Sequence, residues 1–233
     1  MTEPAGSERS IYLIGGVAAI VGSLLGMVGN LIHPATPLDD PEGVARVIAE
    51  SGAWGPIHLT IVIGIILMLG GLVALRHSIR GGLAGALARF GLAAAVVGIA
   101  IGVVLVILDG VAAKQLADDW ATAPPEQRAI ALRIVLANET LNFAIASSFN
   151  IVFAGAAFIL FGLAVGLSRA YPRWLGWVVV AAGVLAVGAG LIQALTGEPT
   201  TASRILTIIG PTVITLWLLV IGVLLVGKAR HTA

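Results

Sequence analysis

Four side chains that could bind a metal ion lie beside the ends of long apolar segments of the sequence. They are His33, His58, Asp109 and Glu139. Imidazole and carboxylate groups are suitable ligands for zinc and for non-haem iron. A metal-activated water at this place would make the protein a metal-dependent hydrolase or oxidoreductase. The paired motifs of known metalloenzymes, such as His-Glu-x-x-His, are absent, so catalytic residues stay unassigned.

Two other chemistries fit the same region. A haem could be clamped between His33 and His58, which lie at the same level of adjacent segments. Alternatively, a polar pocket could bind a small molecule or lipid, with Arg204 facing an anionic group and Glu139 or Asp109 facing a cationic one. The residues of this predicted pocket recur at helical spacing and are Asn30, His33, His58, Asp109, Glu139, Asn142, Asn150, Gln193 and Arg204. The simplest alternative is that these groups lie at helix ends and only pair with one another.

The elements that must position these residues are membrane-spanning helices. Hydrophobic residues make up 58% of the chain and charged ones 11%, whereas soluble domains carry roughly 25% charge. A helix needs about 20 apolar residues to cross the bilayer. Six segments qualify: 11–32, 57–75, 83–108, 141–167, 174–196 and 205–227. The sequence therefore predicts an all-α integral membrane bundle of six helices, forming one domain over residues 1–233.

The distribution of charge predicts the orientation. One set of connections carries basic residues without acids, namely Arg76, Arg80, Arg89, Arg169, Arg173, Lys228 and Arg230. The positive-inside rule places this set in the cytoplasm, together with both termini. The acidic connections, 33–56 and 109–140, are then extracytoplasmic. Arginine outnumbers lysine and Ala, Gly, Val and Leu dominate, so we expect a bacterial plasma membrane.

The two long connections are predicted to contain helices. Asp39-Asp40-Pro41-Glu42 is typical of a helix start and opens a short amphipathic helix, which we expect on the outer surface. The segment 111–120 extends the third span, and Pro124-Pro125-Glu126 starts a helix that runs into the fourth. We therefore expect a helical hairpin that projects outward.

Further features concern packing and partners. Glycines at helical spacing, including Gly22 and Gly26, predict close helix contacts. Gly210-Pro211 could break the sixth span, as in transporters, or only kink it. Trp54 lies one turn before His58, and we expect it to anchor the second span at the membrane interface, with stacking on the imidazole as the alternative. The chain has no cysteine, which excludes disulfides and thiolate ligands, and no basic cluster, which argues against nucleic acid.

Several short motifs together resemble a family of small uncharacterised polytopic membrane proteins, of a type common in actinobacteria-like genomes. They are His33-Pro34, Trp54-x-x-x-His58, Asp109-Gly110, the stretch 117–126, Glu139, and Pro172-Arg173-Trp174-Leu175-Gly176-Trp177. The resemblance implies a six-helix architecture and no activity, so it assigns no catalytic residue.

Three functions follow from the sequence. The first is a membrane protein with an outward-facing polar pocket that binds, or helps to transport, a small molecule or lipid. The second is a metal-dependent intramembrane enzyme that uses His33, His58, Asp109 and Glu139 with zinc or iron. The third is a non-catalytic subunit, either a homo-oligomer or part of a larger membrane complex, that pairs through its glycine faces.

Overall fold

The computed structural model describes residues 5–37 and 39–231, and within these ranges the chain forms helices and short connections without a strand. Six helices are long and apolar enough to cross a membrane: Gly6–Ile32, Trp54–Ser78, Gly82–Thr122, Pro125–Leu167, Arg173–Thr196 and Thr201–His231. The predicted all-α membrane bundle is confirmed. The terminal residues 1–4 and 232–233, to which the prediction about the termini refers, lie outside the described residues.

The helices are α1 (Ala5–Ile32), α2 (Pro41–Glu50), α3 (Trp54–Ser78), α4 (Gly82–Ile107), α5 (Ala113–Thr122), α6 (Pro125–Phe149), α7 (Phe158–Leu167), α8 (Arg173–Thr196) and α9 (Thr201–His231). Two segments of wider, π-helical geometry each join two of these helices without a break. Leu108–Ala112 joins α4 to α5, and Asn150–Ala157 joins α6 to α7. The third and fourth spans are therefore single helices of 41 and 43 residues, much longer than a bilayer requires.

The six spans form a closed ring in chain order. α1 packs on α3, α3 on α4, α4 on α7, α7 on α8, α8 on α9, and α9 returns to α1. Because consecutive spans are antiparallel, charged connections collect at two ends. The acidic end holds the connections that carry Asp39, Asp109, Asp118, Glu139 and Glu198, and the basic end those that carry Arg76, Arg80, Arg169 and Arg173.

Glycines bring the spans into close contact, as predicted. A Cβ at Gly22 of α1 would collide with the backbone of Gly64 on α3, and one at Gly176 of α8 with the backbone of α7. Gly98 of α4 leaves room for the side chain of Phe153. Without a hydrophobic driving force between helices in lipid, such contacts supply the packing attraction. The glycine faces are thus covered by helices of the same chain.

The sixth span is not broken at Gly210-Pro211. α9 runs through Pro211, and the Thr215 hydroxyl donates a 2.8 Å hydrogen bond to the Pro211 carbonyl. The half-helix geometry of transporters is therefore absent from the described part of this span.

The hairpin formed by α5 and α6 carries α2 on its side. Asp40 caps α2 by accepting a 2.9 Å hydrogen bond from the Gly43 amide, and Pro41 occupies the first turn, as the sequence predicted. Ile48 of α2 packs against Ala113 and Ala117, and Ala45 lies in a cluster with Trp120. The predicted short helix is therefore present, with its apolar face covered by the hairpin, and its placement on the outer surface of the membrane stays a prediction.

Candidate metal centre

Three of the predicted ligands converge at the acidic end. His33 follows the last turn of α1, His58 lies in the second turn of α3, and Asp109 belongs to the π-helical segment after α4. His33 Nε2 is 3.3 Å from His58 Nε2, and His58 Nε2 is 3.1 Å from Asp109 Oδ2. One ligand atom from each residue lies within 4.8 Å of the other two. Around zinc with bonds of about 2.0–2.1 Å, the edge of a tetrahedron is about 3.3 Å, which the two separations from His58 match. The third pair of ligand atoms, on His33 and Asp109, lies within 4.8 Å.

Both histidines are held by backbone carbonyls. Nδ1 of His33 lies 2.9 Å from the Pro34 carbonyl, and Nδ1 of His58 lies 2.7 Å from the Trp54 carbonyl. A carbonyl can only accept, so each Nδ1 carries a proton, and in a neutral imidazole Nε2 then carries a lone pair. When both imidazoles are neutral, two lone pairs and a carboxylate oxygen meet with no proton between them. A metal cation, or one added proton, is needed to make this arrangement favourable.

The π-helical segment sets the position of Asp109. A wider turn inserts one residue and redirects the side chains that follow, and such segments are frequent at functional sites. The Trp54 indole N–H donates a 2.7 Å hydrogen bond to the Asp109 carbonyl. Gly110, the next residue, faces His58 so closely that a Cβ there would overlap the His58 side chain. The backbone at Asp109 and Gly110 is thus held by a hydrogen bond and by close packing on His58, and this fixes where the Asp109 side chain begins.

Trp54 is buried, with 1% of its surface exposed. Its ring lies 4.8 Å from that of His33 and 5.0 Å from that of His58, measured between centroids. This burial within the protein does not fit the expected anchor at the membrane interface. The indole contacts both imidazoles, and its plane is tilted by 34° to that of His58 and by 59° to that of His33. The sequence carried one signal of this role, the spacing of one helical turn between Trp54 and His58.

The centre is buried on one side and open on the other. His58 is 3% exposed, whereas the Asp109 side chain is 33% exposed. Burial lowers the pKa of His33, and a charge on His58 would lower it further. Asp109 and the hydrogen bond to the Pro34 carbonyl oppose these effects.

Glu139, the fourth predicted ligand, does not join the cluster. It is connected to it through Asn142, whose Nδ2 lies 3.4 Å from Glu139 Oε1 and 3.5 Å from Asp109 Oδ1. Both contacts are long for hydrogen bonds. The other atom of the amide, Asn142 Oδ1, is buried without a hydrogen-bond partner in the described ranges. A donor from outside the chain would satisfy it.

A cavity of about 350 Å³ lies beside the cluster. Glu139 and Arg204 both line it, as do Thr36 and Phe143. The predicted residues Glu139 and Arg204 are therefore brought together around one space, although their segments are far apart in sequence.

The remaining predicted residues are occupied elsewhere. Asn30 donates to the Gly26 carbonyl of its own helix at 2.8 Å. Asn150 donates to the Thr207 hydroxyl at 3.3 Å, and Gln193 donates to the Phe143 carbonyl at 2.7 Å. The last two bonds join neighbouring helices, so these side chains have a packing role in the structure.

A haem between the two histidines does not fit. Bis-histidine ligation requires a porphyrin plane between the imidazoles, but their Nε2 atoms are only 3.3 Å apart and the rings meet edge to face. Asp109 and Trp54 fill the space on either side.

Comparison with known proteins places this architecture in a family. A family model described as a domain of unknown function (DUF4386) matches residues 11–222. The chain belongs to this family. The match includes all six spans in whole or in large part, as well as the three clustered residues, and agrees with the resemblance to uncharacterised polytopic proteins. No curated protein and no solved structure matches the chain.

Proposed function

We propose that this DUF4386 protein binds a divalent transition-metal ion at the acidic end through His33 Nε2, His58 Nε2 and Asp109 Oδ2. The observation that carries the proposal is the convergence of two imidazole Nε2 atoms and a carboxylate oxygen within 4.8 Å of one another. The Nδ1–H bonds to carbonyls support it, because histidine ligands of metals are usually oriented through their other ring nitrogen.

The ligand set favours zinc or ferrous iron. Two histidines and one carboxylate occur in catalytic zinc sites and in the facial triad of non-haem iron enzymes. Three protein ligands leave at least one position open for water or a substrate, whereas structural zinc sites use four. The partly exposed Asp109 lies on the accessible side of the centre. A metal-dependent enzyme is therefore the second candidate function, built on the same site.

Metal analysis tests the proposal directly. The protein should be purified without a polyhistidine tag and analysed for zinc and iron by mass spectrometry, then titrated with each metal after chelation. We expect one metal per chain, and its loss in His58→Ala and Asp109→Asn. His231→Ala is the matched control, because His231 is exposed at the end of α9. A chain that binds neither metal on titration would show that the imidazoles instead share a proton.

Cobalt substitution tests whether the site is open. Visible absorption of the cobalt-loaded protein should change when azide is added, because a small anion can occupy the open position. An unchanged spectrum would show a closed, structural site and would remove the enzyme from consideration.

The orientation is also a proposal: the metal centre faces away from the cytoplasm. Its support is that the connections at the basic end carry Arg76, Arg80, Arg169 and Arg173 without an acid, in agreement with the positive-inside rule. The chain has no cysteine, so single substitutions can be labelled cleanly. Ala121→Cys at the acidic end should react with an impermeant thiol reagent in intact cells, and Ser7→Cys only after permeabilisation. The reverse pattern would overturn the orientation.

A further inference from the structure

The cavity beside the metal centre contains two opposite charges that do not pair. It lies between the start of α2, the middle of α6 and the start of α9, and both Glu139 and Arg204 line it. Both are partly buried. Within residues 5–37 and 39–231, the structure shows no ion pair between them, although they face the same space.

Among the described residues, the side chains of Arg204 and Glu139 each make only one long hydrogen bond to the rest of the chain. Arg204 Nη2 makes a 3.4 Å contact with the Thr36 carbonyl, and Glu139 Oε1 accepts from Asn142 at 3.4 Å. A guanidinium has five N–H donors and a carboxylate about four acceptor positions, so most of their capacity is free. Ionisable groups at the level of a membrane are costly, and those that persist usually face a partner or water.

We propose that this cavity binds a small zwitterion, with its anionic group against Arg204 and its ammonium group against Glu139. The guanidinium suits a carboxylate or phosphate group, which it can bind with two parallel hydrogen bonds. Asp39 and Glu198 also line the cavity, so its lining has three carboxyl groups and one guanidinium, which favours a ligand with a cationic group, and Phe143 adds an apolar side chain. The volume of about 350 Å³ suits a polar head group or a small metabolite.

The proposal does not depend on the metal, but the two sites are adjacent. The Asn142 amide reaches Glu139 on the cavity wall and Asp109 in the metal cluster, at 3.4 and 3.5 Å. Its buried Oδ1 has no partner among the described residues. A zwitterion bound to Glu139 would therefore be connected to the metal cluster through the Asn142 amide.

A zwitterion could come from solution or from the head group of a lipid, and the experiment separates the two. Calorimetric titration of the detergent-solubilised full chain uses phosphoethanolamine and glycine as dissolved zwitterions. Inorganic phosphate and ethylamine each supply one charge only. In a second arm, the protein is reconstituted in nanodiscs of phosphatidylglycerol with or without phosphatidylethanolamine, and lipid retention is measured by native mass spectrometry.

We expect at least one zwitterionic probe, dissolved or lipid, to bind more tightly than either single-charge probe. Arg204→Gln and Glu139→Gln should each weaken that binding about tenfold or more, which is the loss expected for a hydrogen bond to a charged group. Arg133→Gln, an exposed residue of α6, should leave it unchanged. Binding of phosphoethanolamine or glycine identifies a soluble ligand, and selective retention of phosphatidylethanolamine identifies a lipid.

Three outcomes would overturn the proposal: no zwitterion binds the wild-type chain, phosphate alone binds equally tightly, or Glu139→Gln has no effect. Each variant is checked for zinc stoichiometry and for its unfolding temperature, so that a folding defect is recognised. Since the chelated protein is titrated in parallel, failure of the metal site and failure of the zwitterion site give different results.

Discussion

Trp54→Phe tests whether the residues around the cluster position its ligands. The substitution keeps an aromatic ring beside both imidazoles but removes the indole N–H that donates to the Asp109 carbonyl at 2.7 Å. A buried acceptor left without its donor costs about 1–3 kcal/mol. Loss of a group that orients a metal ligand typically lowers metal affinity about 10- to 100-fold, or about 1.4–2.7 kcal/mol. We therefore expect weaker zinc binding and a lower unfolding temperature.

The assay is zinc titration against a competing chelator, together with thermal unfolding with and without zinc. Trp177→Phe is the control, because Trp177 is 53% exposed on α8 and distant from the cluster in the chain's topology. It should change neither quantity. If Trp54→Phe binds zinc with wild-type affinity while losing stability, the indole only fills space, and its proposed influence on Asp109 is refuted.

Three further predictions concern the same end of the molecule. A chelator should lower the unfolding temperature of the wild-type chain but not of Asp109→Asn, measured by scanning fluorimetry, because a ligand that binds only the folded state stabilises it. Gly110→Ala should cost roughly 1–3 kcal/mol and weaken zinc binding, since its Cβ would overlap the histidine it packs against. Gly227→Ala, with nothing within 4 Å of the added Cβ, should do neither. Asp40→Ala should cost about 1 kcal/mol by removing the cap of α2 and should speed hydrogen exchange in that helix; unchanged exchange would contradict this.

The sequence was sufficient to predict the spans because lipid imposes one strong constraint. A stretch of about 20 apolar residues can cross a bilayer only as a helix or within a closed barrel. The hairpin was predictable for a different reason, since Pro124 and Pro125 supply the only breaker between two long helical patterns. The position of α2 was not predictable, because its apolar face fits either a membrane surface or protein. Tertiary contacts with Trp120 and Ala117 decide between the two.

The candidate site was predictable in composition but not in geometry. His33, His58 and Asp109 were recognisable because polar side chains stand out at the ends of apolar helices. Nothing in the sequence indicates the π-helical segment Leu108–Ala112, and one residue more or less per turn turns Asp109 toward or away from His58. The rotation of α6 about its axis is equally hard to predict from the sequence. Glu139 therefore lies on the cavity wall and reaches the cluster only through the Asn142 amide.

Different helices carry the glycine contacts, the proposed metal ligands and the charged cavity residues, and this bears on the choice between the three functions. The glycine faces that could have recruited a partner are covered inside the ring, as at Gly22 and Gly176. A partner protein would therefore have to bind the lipid-facing surface or the hairpin, and the accessory subunit stays a prediction. The proposed metal ligands come from the first three spans, while Glu139 and Arg204 of the cavity come from the fourth and sixth.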